Sequence, residues 1–261
     1  MITANALDAA AAIIPGLLRT LRLPTIGRMW EELCQQAEAA HWSHQRFLQA
    51  LLEHEAAERD QRRTAARRRA SRLPMDKTLS NFKADIVPGL KPAHLDALAS
   101  GDGWIETGGN LLVFGPSGVG KTHLAAAVGH GLIDRGYTVF YSRTTDLVQH
   151  LQAARRDLEL PAALAKLDRF QCLILDDLGY ARKDQAETSV LFELISQAYE
   201  RRSLVITCNQ PFKDWDGIFP DKSMTVAAVD RLIHHATILE LGGDSYRRRS
   251  AHERKTKSEP R

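Results

Sequence analysis

The octapeptide Gly115-Pro116-Ser117-Gly118-Val119-Gly120-Lys121-Thr122 constrains this chain more than any other stretch, because of what flanks it. The apolar run Leu111 to Phe114 before it reads as a buried strand. Lys121 to Arg135 reads as a helix with Leu124, Val128 and Leu132 on one face. Gly115, Gly118 and Gly120 let a loop wrap closely round phosphate oxygens, with backbone N–H groups and the helix N-terminus aimed at the negative charge. Lys121 reaches the β and γ phosphates and Thr122 offers its hydroxyl to magnesium. The expected ATP contacts are therefore Gly115, Pro116, Ser117, Gly118, Val119, Gly120, Lys121, Thr122 and His123. The competing reading is a glycine-rich turn that binds nothing, and the strand-loop-helix setting weighs against it.

Beyond Asn110, short apolar runs alternate with longer helical stretches: Leu111 to Phe114, Tyr137 to Tyr141, Cys172 to Leu175, Leu204 to Thr207 and Ile238 to Leu241. Five such strands separated by helices predict an α/β fold with a parallel sheet covered on both faces. Two of the strands end in chemistry. Leu173-Ile174-Leu175 leads into Asp176 and Asp177, which suit a magnesium-positioning carboxylate and a group that orients or deprotonates an attacking water. An ordinary exposed acidic turn is the alternative. Asn209 follows the run Leu204 to Cys208, where it can position water or sense phosphate, or simply cap the turn before Pro211.

The front of the chain, residues 1–73, reads as a small helical domain. Thr25 is a candidate cap for a helix carrying Met29, Leu33 and Ala37, and Ser43 for one carrying Phe47, Ala50 and Leu51. The second helix runs into Arg59, Arg62, Arg63, Arg67, Arg68, Arg69 and Arg72, and Pro74 stops it. Residues 74–109 are rich in proline and glycine and read as a linker with one short helix, followed by the nucleotide domain, 110–243, and a basic tail, 244–261.

The formal net charge of +3 conceals an asymmetry. Arg59 to Arg72 carries seven arginines against Asp60, a balance of +6, and Asp244 to Arg261 carries +4, so the rest of the chain is acidic at −7. Such basic segments suit the phosphate backbone of duplex DNA, contacted without reading sequence. A solvated charged helix is the alternative, since the arginines point all round the helix axis. Cys34, Cys172 and Cys208 are scattered and odd in number, which fits a reducing cytoplasm and neither a disulfide framework nor a zinc knuckle. No segment is apolar for long enough to span a membrane, so no membrane partner is expected.

Together the segments GPSGVGKTHLA, LILDDLGY, ITCNQPFKDW and DRLIHHATILELGGDSYR resemble, in order and approximate spacing, the IstB-type ATP-binding proteins of insertion sequences. That family is related to the DnaC-type helicase loaders within the AAA+ ATPases. LRLPTIGRMWEEL, the arginine-rich helix and SRLPMDKTLSNF resemble the family's helical domain and linker, so the likeness runs over nearly the whole chain.

The resemblance implies a P-loop AAA+ core in which Asp176 and Asp177 occupy the Walker B position and Asn209 the sensor 1 position. It also implies that Arg231 is an arginine finger for a neighbouring subunit, where the residues alone favour a surface ion pair. His234 and His235 lack metal-ligand spacing and read as structural. Only about twenty residues follow the last strand, so no helical lid domain is expected, and Arg247 to Arg249 are given no role. The function implied is ATP hydrolysis in an oligomer on double-stranded DNA, helping a transposase select or capture its target. A helicase loader and an ATP-switched adaptor that scarcely hydrolyses remain alternatives.

Overall fold

The computed structural model describes residues 4–82, 90–179, 185–211, 214–215 and 221–242. The chain divides into two compact units, residues 1–66 and 67–261. In the first, α1 (Ala4–Thr20), α2 (Pro24–Ala39) and the larger part of α3 (His44–Ser71) enclose a small core of Ile26, Leu33 and Leu51, against which Leu18, Trp30, Trp42 and Phe47 pack.

Ser43 caps α3 as its position suggests, accepting the N–H of Arg46 at 3.3 Å. Thr25 does not cap α2. Pro24 opens that helix, Leu23 is its N-cap without a side-chain bond, and Thr25 falls inside the first turn. The orphan N–H groups are satisfied from α3 instead: buried Glu55 accepts from Thr25 at 2.8 Å and from Ile26 at 3.2 Å.

The second unit contains α4 (Pro92–Ser100), β1 (Asn110–Phe114), α5 (Lys121–Asp134), β2 (Val139–Arg143), α6 (Thr144–Arg156), α7 (Leu160–Leu167), β3 (Cys172–Leu178), α8 (Gln185–Ala198), β4 (Ser203–Cys208), α9 (Lys222–Ile233) and β5 (Ala236–Glu240). All five predicted runs overlap strands, β2 beginning two residues later than its run and β5 two residues earlier. They form one parallel sheet in the order β2-β3-β4-β1-β5.

Strand periodicity divides the core in two. Leu112, Leu173, Leu175, Leu204 and Ile206 face one side with residues of α6 to α9. Leu111, Val113, Ile174 and Val205 face the other with residues of α4 and α5. Leu73 belongs to this second cluster, so the chain just past α3 packs within the nucleotide unit.

Because β4 lies between β3 and β1, the C-terminal ends of all three strands sit side by side. That adjacency gathers the phosphate loop, the acidic pair and Asn209 at one edge. No helix among the described residues is long and apolar enough to cross a membrane. Residues 83–89 of the linker, the tail with Arg247 to Arg249, and the expectation about a lid domain lie outside the described residues.

Candidate nucleotide site

Three glycines build the loop after β1. Gly115, Gly118 and Gly120 have φ of 144°, 90° and 103°, a region that side chains avoid. At Gly115 a Cβ would also lie 2.2 Å from the carbonyl oxygen of Leu241, so glycine is required there on two grounds. Gly120 is the N-cap of α5, which points the helix N-terminus into the loop.

Lys121, 6% exposed, folds back over this loop and donates from Nζ to the carbonyls of Gly115 at 2.8 Å and Pro116 at 3.0 Å. Thr122 donates its hydroxyl to Asp176 Oδ1 at 3.0 Å. The loop and the end of β3 therefore meet, although fifty-four residues separate these side chains. His123 turns away: its Nε2 lies 3.1 Å from the carbonyl of Thr78, and its ring meets Phe82 edge-on. His130, two turns along α5, holds the carbonyl of Pro74 at 3.0 Å in the same manner. The linker segment 74–82 is thus fastened to the helix that begins at the phosphate loop.

Asp176 is 2% exposed, and a buried carboxylate is costly unless its lone pairs are used. Oδ1 accepts from Thr122 and also from Thr207 at 2.6 Å, while Oδ2 accepts from Tyr141 at 2.7 Å. Its main-chain carbonyl accepts from Thr144 at 3.0 Å. Burial, and the Asp176 charge it faces, push the Tyr141 phenol far above the usual tyrosine range, so this hydroxyl remains a donor.

Asp177 has φ of 57°, and the pairing of β3 with β4 shifts between Leu175 and Leu178. This irregularity turns consecutive acids away from the strict alternation of a strand. Asp177 is half-buried, and its N–H donates to Thr207 at 2.9 Å. Asn209 is exposed immediately after β4, on the strand between the loop and the acidic pair. Burial raises the thiol of neighbouring Cys208, consistent with packing rather than reactivity.

Thr207, Tyr141 and Thr144 were absent from the sequence-derived site. Threonine is common in strands and Tyr141 ends an apolar run, so only the sheet order reveals that they converge on Asp176. The donor set of one hydroxyl and one restrained carboxylate fits magnesium, which keeps several waters and takes few protein ligands.

Arg231 does not join this cluster within one chain. It lies in the last turn of α9, beside Leu232, whose carbonyl accepts from Asn110 Nδ2 at 3.0 Å. Asn110 opens β1, and a five-residue strand, about 15 Å long, separates it from the phosphate loop. The guanidinium donates to the carbonyl of Ala227 at 2.8 Å and stands 5.3 Å from the Phe192 ring centre. Nearby, His234, His235 and Glu200 gather on the exposed surface, and the His234 Nδ1 lies 2.9 Å from the Tyr199 hydroxyl.

The arginines proposed for DNA differ in their engagements. In the first unit, Arg62 donates to Thr25 Oγ1 at 2.9 Å and Arg59 to the carbonyl of Arg22 at 3.0 Å, with Glu55 3.5 and 3.4 Å away. Arg63 pairs with Asp60 at 3.7 Å. In the second unit, Arg68 pairs with Asp134 and Arg72 lies over the Phe140 ring. Arg67 and Arg69 carry no ion pair among the described residues.

The family model for IstB-like ATP-binding proteins matches residues 16–254. A Sinorhizobium fredii protein described as an insertion-sequence ATP-binding protein is 56% identical over 251 residues, covering 96% of this chain and 84% of the relative. An IS21 ATP-binding protein of Pseudomonas aeruginosa is 36% identical, covering 88% of this chain and 87% of its own. Among solved structures, the DnaC helicase loader is similar at a TM-score of 0.56 and 21% identity, covering 64% of this chain and 98% of that one. DnaA of Aquifex aeolicus bound to AMPPCP gives 0.55 and 21%, covering 73% and 59%. These structural likenesses show a fold shared with DnaC and DnaA.

Proposed function

Because this chain belongs to the family of IstB-like ATP-binding proteins, we propose that it hydrolyses ATP within an oligomer on double-stranded DNA and helps a transposase capture its target. The observation that carries the chemical part is the contact of Thr122 with Asp176, which closes the phosphate loop against the acidic strand end.

Magnesium, held by Thr122 and Asp176, would neutralise charge on the triphosphate. Residues 115, 117–120 and 123 present backbone N–H groups to phosphate, with Pro116, which has no N–H, shaping the loop, and Lys121 supplies a localised positive charge. Asp177 stands beside Asp176 to take a proton from water, and Asn209 offers an amide to orient that water. Arg231, a strand's length from its own phosphate loop, serves the site of an adjoining subunit, so turnover depends on assembly.

The relatives named as insertion-sequence proteins support transposition as the setting. The DNA partner rests on the basic segments, through Arg67 and Arg69 above all, with Arg59, Arg62, Arg63, Arg68 and Arg72 adding positive field around them. Electron microscopy with duplex DNA, with and without a non-hydrolysable ATP analogue, tests the reading. An ATP-dependent ordered array is expected, and free monomers in both conditions would overturn it.

A further inference from the structure

The sheet brings an unassigned tyrosine onto the acidic strand end. In the β2–β3 pairing Tyr141 lies opposite Ile174, and Arg143 opposite Asp176, so the phenol reaches diagonally along the neighbouring strand. Its ring packs into the core cluster formed with α5, while its hydroxyl alone reaches Asp176 Oδ2.

A carboxylate offers about four lone-pair positions. Thr122 and Thr207 take two on Oδ1, and Tyr141 takes one on Oδ2. One position is left, on a group that three donors prevent from rotating. Magnesium demands near-ideal octahedral geometry and few protein ligands, whereas calcium gains from more oxygens and from carboxylates that give both of theirs.

We propose that Tyr141 is a positioning residue that, with Thr207, restricts Asp176 to one-point contact and so makes the nucleotide site select magnesium over calcium. The inference rests on the reading of Asp176 as the cation-side carboxylate of an ATP site. A phenylalanine at position 141 preserves the ring and removes only the restraint on Oδ2.

The test is binding of a fluorescent ATP analogue to the full chain, titrated with magnesium or with calcium. In the parent protein, half-maximal cation-dependent binding is expected at much lower magnesium than calcium. Tyr141→Phe should narrow that ratio about tenfold, the size of a lost hydrogen bond to a charged group. Cation-free binding of the analogue should be unchanged. Thr207→Ser, which keeps a hydroxyl, should retain the parent ratio.

An unchanged ratio in folded Tyr141→Phe overturns the inference while leaving the ATP site intact. Should that variant lose its fold, Thr207→Val reads the same restraint from Oδ1, and an unchanged ratio there has the same force. Cation-independent analogue binding in the parent overturns both the inference and the reading beneath it.

Discussion

Thr207 donates its hydroxyl proton to Asp176 Oδ1 at 2.6 Å, tying the end of β4 to the end of β3. Thr207 Oγ1 also accepts the N–H of Asp177, so one hydroxyl orients both acids. Thr207→Val keeps the shape and removes both bonds. Turnover is expected to fall at least tenfold and stability by about 1–3 kcal/mol, because a buried carboxylate loses a donor. Steady-state phosphate release and thermal unfolding measure the two effects.

Asp177→Asn separates hydrolysis from binding. Asparagine tolerates the left-handed backbone at this position, so the fold should persist. Phosphate release should fall by roughly a hundredfold or more, with ATP affinity retained. An unaltered single-turnover rate would show that Asp177 does not serve the water.

Arg231→Ala should reduce turnover of the assembled protein at least a hundredfold while leaving nucleotide binding intact. Mixing it with Lys121→Ala offers a sharper check. A chain with an intact phosphate loop then receives Arg231 from its neighbour, and the mixture should exceed the summed activity of its components. Strictly additive activity would place Arg231 outside the shared site.

Replacing both Arg67 and Arg69 with alanine should weaken duplex binding and flatten the log-log salt dependence by about 2, near 0.9 for each lost phosphate contact. Arg62→Ala should act on the first unit's stability as well, because this guanidinium also holds Thr25. Fluorescence anisotropy across a salt series and thermal melts distinguish these outcomes.

Glu55 predicts a pH dependence. Burial works to raise its pKa, but the N–H groups of Ile26 and Thr25 and the nearby Arg59 outweigh that and hold it below the usual carboxylate value. A lowered folded-state value contributes stability above the unfolded glutamate pKa, about 4.3, and loses it as pH falls through the folded value. Glu55→Gln should cost about 2–3 kcal/mol at neutral pH and flatten the acid side of the stability curve. Chemical denaturation between neutral pH and pH 3 measures it.

The strands and the phosphate loop were legible in the sequence because their causes are local. Glycines at 115, 118 and 120 relieve a steric limit that acts within a residue, and the apolar runs report a sheet buried on both faces. Ser43 was legible for the same reason. Thr25 misled because Pro24 takes the first helical position, and the cap comes from Glu55, thirty residues away.

The arginine helix shows a different limit. Its charge is plain from composition, yet which guanidiniums are engaged depends largely on Thr25, Asp134 and Phe140, all distant in sequence. Arg231 likewise is singled out only by the resemblance, while its distance from its own phosphate loop follows from where β1 begins.

The sequence by itself determined the elements, the phosphate loop and the acids at a strand end, since these depend on periodicity and on the backbone freedom of single residues. Tertiary structure alone decided what Asp176 touches. The order β2-β3-β4 sets Tyr141 and Thr207 on either side of it, and Thr122 reaches it from α5. Burying a carboxylate requires donors, and donors from separate elements can be supplied only once the sheet and its helix are assembled.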